Sequence, residues 1–227
     1  LYLFLPAFPT RRSSDLIPIS QITGTGDGNQ FYSLFRDSKG FYWFGGANGL
    51  IRFTDPAGER HDAIWYRMGD KTYPLSHNRI RHIYEDKEQQ LWIATDGSIN
   101  RYDYATRQFI HYNIVDNTGT YNTNWTYYIF EDTAGQLWIS TCLGGIFVVD
   151  KHKLMQSTSG QYIAEQNYSV HNGLSGMFIN QIIPDNEGNV WVLLYNNKGI
   201  DKINPRTREV TKLFADELTG EKSPNYL

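Results

Sequence analysis

An aspartate stands six residues before a tryptophan four times in this chain: Asp37 and Trp43, Asp86 and Trp92, Asp132 and Trp138, Asp185 and Trp191. The tryptophans lie 49, 46 and 53 residues apart, and each is followed by a glycine (Gly49, Gly97, Gly145, Gly199). A period of that length confines the chain to repeat architectures, in which each unit buries its apolar surface against its neighbours. Helix-pair repeats have similar lengths, but their apolar residues recur every ~3.6 positions. These segments instead read as short strands broken by turn residues.

Within one unit the pattern is constant. Apolar columns precede the aspartate: Phe31, Ile80 and Ile179 (Thr126 in the third repeat), then Leu34, Ile83, Ile129 and Ile182, then Phe35, Tyr84, Phe130 and Ile183. They make a first strand. Asp-x-x-Gly follows in three repeats (Asp37 to Gly40, Asp132 to Gly135, Asp185 to Gly188), a tight-turn signature with glycine where φ is positive. Gln89 replaces that glycine in the second repeat, which predicts a strained turn or one of another type. The second strand is an unbroken apolar triplet, as in Leu91-Trp92-Ile93, and such a strand is buried on both faces. A third strand starts at or just after the second glycine, and a fourth is expected at 63–66, 108–112, 161–168 and 210–214.

Four strands per repeat of about 40–50 residues define an all-β fold, the β-propeller. The expectation is four four-stranded antiparallel blades at about 26–70, 76–115, 122–170 and 174–216, forming an arc of a larger, seven-bladed ring. Residues 218–227 read as a linker towards a further repeat. Such an arc should leave bare apolar faces around Leu34, Trp43 and Leu50 at one end and around Ile182, Trp191 and Ile200 at the other.

The opening residues do not fit this pattern. Residues 1–16 contain the run Phe8-Pro9-Thr10-Arg11-Arg12-Ser13-Ser14-Asp15-Leu16, which resembles a translated sequencing adapter, so they are read as a non-native leader and 17–227 as the propeller. A net charge of −3 offers no basic footprint for nucleic acid. No stretch approaches the roughly 18 apolar residues of a membrane span. The single cysteine, Cys142, reads as a small buried hydrophobe.

The motif Asp-x-x-Gly-x-Leu-Trp-Ile-x-Thr, clearest at Glu85-Asp86 to Thr95 and Glu131-Asp132 to Thr141, resembles the two-component regulator propeller repeat, as does the lead-in Asn172-Gly173-Leu174-Ser175. The resemblance covers about 26–214. It implies a periplasmic sensor segment of a bacterial hybrid histidine kinase, responding to polysaccharide breakdown products. The partners it implies are an oligosaccharide, the rest of the sensor kinase and a second copy in a homodimer.

Chemistry-bearing motifs are few. There is no His-Glu-x-x-His and no cysteine pair, so neither a metal nor another cofactor is expected. Gly24 to Gly28 superficially resembles a phosphate loop but has no Lys-Ser/Thr, and reads as a loop. Two inner-strand columns change chemistry from repeat to repeat: Tyr32, Arg81, Tyr127 and Asn180, then Ser33, His82, Tyr128 and Gln181. Invariant columns hold a blade together, whereas variable ones are where a propeller can place specificity. The expected ligand site is therefore the mouth of the central channel, lined by Tyr32, Arg81, His82, Tyr127 and Asn180 with Trp65 and Trp125 close by in sequence. Aromatic faces there suit sugar rings, and Arg and Asn suit hydroxyls or carboxylates. Two alternatives stand beside the sensor. One is a propeller lyase acting on a polysaccharide or antibiotic, disfavoured because pairs such as His82 and Glu85 alternate onto different strand faces. The other is an interaction scaffold, although no Gly-His to Trp-Asp signature occurs.

Overall fold

The computed structural model describes residues 30–54, 63–72, 74–158, 160–195 and 199–213. The leader 1–16, the 24–28 loop, His61 and the 218–227 linker lie outside them. Four antiparallel four-stranded sheets follow one another. Blade one comprises β1 (Phe31–Arg36), β2 (Tyr42–Gly46), β3 (Gly49–Phe53) and β4 (Ile64–Tyr66). Blade two comprises β5 (Ile80–Glu85), β6 (Leu91–Thr95), β7 (Ser98–Asp103) and β8 (Gln108–Tyr112). After β9 (Ile114–Val115), blade three has β10 (Thr126–Glu131), β11 (Gln136–Thr141), β12 (Ile146–Asp150) and, as its outer strand, β14 (Gln166–Tyr168). Blade four comprises β15 (Ile179–Pro184), β16 (Val190–Leu194), β17 (Ile200–Asn204) and β18 (Glu209–Leu213). The first strands are the inner ones: β1 packs on β5, β5 on β10 and β10 on β15. Among the described residues no helix is long and apolar enough to cross a membrane.

The six-residue spacing has a hydrogen-bonding cause. One carboxylate oxygen of each repeat aspartate accepts from the backbone N–H four residues on, closing the turn: Phe41 on Asp37 at 2.8 Å, Gln90 on Asp86 at 2.9 Å, Gln136 on Asp132 at 2.9 Å and Asn189 on Asp185 at 2.8 Å. The other oxygen accepts from the indole Nε1–H of the repeat tryptophan, at 2.8, 2.9, 2.9 and 3.0 Å in order. Trp43, Trp92 and Trp138 are buried. An unpartnered buried N–H would cost about 1–3 kcal/mol, so the aspartate makes an interior tryptophan tolerable. Gln89 keeps the common turn, donating to the Asp86 carbonyl at 2.9 Å, but does so at φ 62°, where the other three repeats have glycine. The strain expected from the sequence is present, without a change of turn.

Every residue of β6 is buried, while β2 and β16 in the end blades alternate buried and half-buried positions. The expected bare faces need correction. Trp43, Leu50 and Ile182 are fully buried, because their side chains lie within the end blades' own contacts to blades two and three. The exposed apolar residues on the inner strands of those blades are Phe31, Tyr32 and Leu34 (67%) in blade one and Ile183 (50%) in blade four.

Blade three departs from the expected 161–168 strand. β13 (Tyr162–Ile163) leaves it and pairs in parallel with β9, so only β14 serves as the outer strand. The longer connection carries a short helix, α1 (Lys151–Gln156), capped by the Asp150 carboxylate. α1 delivers a fully buried cation. Lys151 Nζ sits 2.7 Å from Glu131, 3.4 Å from Asp86 and 3.5 Å from Glu88, tying blade three to blade two. Burial lowers the Lys151 ammonium, but the Glu131 hydrogen bond and the surrounding carboxylates outweigh it and hold its pKa above the ordinary lysine value. Glu85 and Glu131, at corresponding strand ends, also latch neighbouring blades. Glu85 accepts from Ser38 N–H at 2.9 Å and Oγ–H at 2.8 Å, and Glu131 accepts from Lys87 N–H at 2.8 Å. Glu85 is thereby a structural group facing blade one.

The lead-in motif is explained the same way. Leu75 and Leu174 are buried, and the serine after each is anchored to the third strand of the blade it opens. Ser76 Oγ accepts from Asn100 Nδ2 at 2.7 Å, while Ser175 donates to the buried Asp201 from both N–H and Oγ–H at 2.7 Å. Burial raises the Asp201 pKa against those bonds.

Candidate functional site

All four inner strands break register at the same point. The ladder shifts between Phe31 and Ser33, Ile80 and His82, Thr126 and Tyr128, and Ile179 and Gln181. The residues left without a partner are Tyr32, Arg81, Tyr127 and Asn180, the variable column of the sequence. A regular strand sends neighbouring side chains to opposite faces; a bulge bends the strand and re-aims them. Consecutive residues therefore serve one surface. Arg81 with His82, Tyr127 with Tyr128, and Asn180 with Gln181 line a single hollow of about 320 Å³, together with Tyr32 and Tyr195. Every blade contributes.

Within it, the guanidinium of Arg81 is pinned. Nε and Nη2 donate to the two oxygens of Asp96 at 2.7 and 3.3 Å, and its Cζ lies over the Tyr127 ring, 4.6 Å from the ring centre. Burial opposes the charge, but the Asp96 hydrogen bond and charge raise the pKa above its ordinary value. Asp96 also meets Arg79 at 3.8 Å, so this carboxylate is engaged by two cations. Tyr127 packs edge-on against Tyr195, with ring centres 6.0 Å apart. Burial raises the Tyr127 phenol and outweighs the lowering effect of Arg81.

His82 is stacked on Tyr128, with ring centres 3.9 Å apart and planes 19° from parallel. Its Nδ1 accepts from Ile129 N–H at 3.3 Å, which places the ring proton on Nε2. Burial lowers its pKa to about 4, so it is neutral near pH 7. The surface is thus a set of phenols, carboxamides, a fixed guanidinium and a neutral imidazole. Such groups bind polyhydroxylated or carboxylate-bearing molecules through stacking and directional hydrogen bonds.

Five of the seven sequence candidates, Tyr32, Arg81, His82, Tyr127 and Asn180, share this hollow. Trp65 does not. It lies on the outer strand β4, pairs with Ile51, donates to the Asn48 carbonyl at 3.0 Å and stacks on Arg67 at 3.9 Å. Closeness in sequence placed it wrongly, because the fourth strand is the one farthest from the axis. Trp125 directly precedes the inner strand β10 but opens onto a different hollow, beside Leu143. Three lining groups escaped the candidate set. Tyr128 and Gln181 stand in the second variable column beside His82; Tyr195 follows the departure Leu193-Leu194 in the fourth repeat, its one sequence mark. Among the described residues no group of three His, Cys, Asp or Glu side chains is placed to hold a metal ion.

Four consecutive propeller blades around a variable inner column define this chain's class. A family model described as two-component regulator propeller matches residues 25–48 and 74–97. The chain is 99% identical, over 92% of its length and with a TM-score of 0.87, to the extracellular domain of BT4673 from B. thetaiotaomicron, described as a one-component system. It spans 28% of that domain. The extracellular domain of BT3049 from the same organism, described as a hybrid two-component system, shares the fold at 21% identity, with a TM-score of 0.66 over 82% of this chain and 25% of that one. Virginiamycin B lyase from Staphylococcus aureus is similar in fold at 15% identity, with a TM-score of 0.55 over 83% of this chain and 57% of the enzyme. No curated protein matches the chain.

Proposed function

We propose that this chain is a ligand-sensing segment of an extracytoplasmic, periplasmic propeller that passes a binding signal to the output part of the same signalling protein. The observation that carries the reading is the bulge repeated at Tyr32, Arg81, Tyr127 and Asn180, which turns the most variable column of the repeat onto one shared surface. Its similarity to extracellular domains of signalling systems supports the sensor role. The ligand class we assign is an oligosaccharide released from a polysaccharide, held by the phenols and carboxamides, with Arg81 available to a hydroxyl or a uronate carboxylate. The four blades form an arc of a larger ring; the resemblance of the repeats supports a histidine kinase and a homodimer as the wider assembly.

An enzymatic reading has less support. A lyase needs an acid and a base converging on one pocket. Here His82 is neutral and stacked, Asp96 is engaged by two arginines, and Glu85 points into the joint with blade one.

Signalling assays in the full-length protein test the proposal. Asn180→Ala and Tyr32→Phe should weaken the response to the inducing oligosaccharide and leave the melting temperature unchanged. Arg81→Ala is a poorer probe, since it strips the nearly buried Asp96 of its closest partner. An unchanged response in both of the first two variants would remove the channel from the account.

A further inference from the structure

In each blade a hairpin N–H donates to the carbonyl of the residue just before the bulged strand. Ala47 bonds Gln30 at 2.9 Å, Asp96 bonds Arg79 at 3.2 Å, Cys142 bonds Trp125 at 2.9 Å and Tyr195 bonds Phe178 at 3.0 Å. Of these four equivalent acceptors only Trp125 has a positive φ, 54°. An L-residue with a large aromatic side chain is disfavoured there, and such outliers persist where the surroundings over-determine them. The surroundings do so here. The Trp125 N–H is held by the Asp96 carbonyl at 3.0 Å and its own carbonyl by Cys142, while its indole is left 47% exposed.

The strained backbone aims that indole over a hollow of about 330 Å³ that it shares with Tyr121, Asn124 and the exposed Leu143. This hollow adjoins a second one of about 450 Å³ through the residues they have in common, Thr120 and Tyr121. Tyr121 and His171 are linked at 3.1 Å and stiffen the wall. The result is a trough along the edge of blade three, lined by none of the residues of the channel hollow. Its chemistry is selective. No lysine or arginine lines either part, and its carboxylates already have partners, Glu165 with Lys153 at 3.5 Å and Asp116 with Tyr121 N–H at 2.8 Å, so the wall offers an anion no fixed cation. The side chains of Asn117 and Asn124 are exposed and bond no other group among the described residues.

From these features we infer that the Trp125 trough is a second binding site, for a neutral oligosaccharide, separate from the channel. One sugar ring stacks on Trp125, and the free carboxamides of Asn117 and Asn124 take its neighbours' hydroxyls. The inference does not depend on the channel reading.

Titration calorimetry on the complete folded ectodomain tests it, with cellotetraose, maltotetraose and mannotetraose as neutral probes and trigalacturonate as the anionic one. At least one neutral probe should bind, and trigalacturonate should not. Trp125→Gly removes the indole and suits the positive φ, so the protein should melt no lower while affinity falls by about tenfold or more. Trp125→Tyr, which keeps a ring, should retain most of the affinity. The inference is overturned if no neutral probe binds, if Trp125→Gly binds like the parent, which would assign the binding to the channel, or if trigalacturonate binds as well as the neutral probes.

Discussion

Replacing Asp86 with alanine removes four interactions from a buried repeat aspartate. The lost partners are the Trp92 indole N–H at 2.9 Å, the backbone N–H groups of Gln90 and Glu88, both at 2.9 Å, and the Lys151 ammonium at 3.4 Å. Trp92 is fully buried, so its N–H finds no water, and an orphaned buried donor costs about 1–3 kcal/mol. The two backbone groups add about 0.5–1.5 kcal/mol each. Lys151 keeps Glu131 at 2.7 Å, which limits its share. Asp86→Ala should therefore cost about 3–5 kcal/mol in urea denaturation of the folded ectodomain. Asp185→Ala should cost the least of the four equivalent changes, because Trp191 is only half-buried and water can replace the carboxylate. In a Trp92→Phe background the penalty of Asp86→Ala should shrink, since no indole donor is left to orphan. Equal costs in all four blades, or an undiminished penalty in the double mutant, would refute the view that the carboxylate exists to satisfy the indole.

Gln89→Gly relieves a φ of 62° and should stabilise by up to about 1 kcal/mol, read as a higher melting temperature; destabilisation would refute the strain. His82 titrates near 4 when folded, below its ordinary 6.5, so its contribution is present above pH 6.5 and is lost as pH falls from 6.5 towards 4. At about 1.4 kcal/mol per pH unit the loss is on the order of 3 kcal/mol, and His82→Gln should flatten that part of the stability profile measured by denaturant titration. Lys151→Met strands Asp86 and Glu131 as buried carboxylates and should cost about 3–5 kcal/mol. Because the Lys151 pKa is raised, its contribution is fully present below about pH 10.5 and disappears only as pH climbs through the raised value, a point that alkaline melts can check.

What the sequence makes legible, and what it hides, follows from which interactions are local. The hairpin between the first two strands is closed by residues within six positions of one another, so its period, turns and apolar columns can be read directly. The channel column at Tyr32, Arg81, Tyr127 and Asn180 is legible as variation, but the bulge that aims it is a register between two strands and leaves no mark on residue type. Asp96, fifteen residues beyond Arg81, reads as one more turn aspartate until the fold folds the hairpin back over the strand. Lys151 looks like an ordinary surface lysine between two strands. Its burial needs Asp86 and Glu131 from two blades, and no periodic pattern announces such a meeting. Trp65 and Trp125 show the complementary error: sequence proximity to a channel residue says nothing about radial position within a blade.

Hydroxyl-radical footprinting of the complete ectodomain tests most directly whether the bulged columns form one ligand surface. Tyr32, Tyr127, Tyr128 and Tyr195 are oxidisable and line the hollow from three blades. Saturating amounts of the inducing oligosaccharide should protect these four tyrosines together, whatever happens at Trp125. Undiminished oxidation of all four with the ligand bound would contradict the central claim.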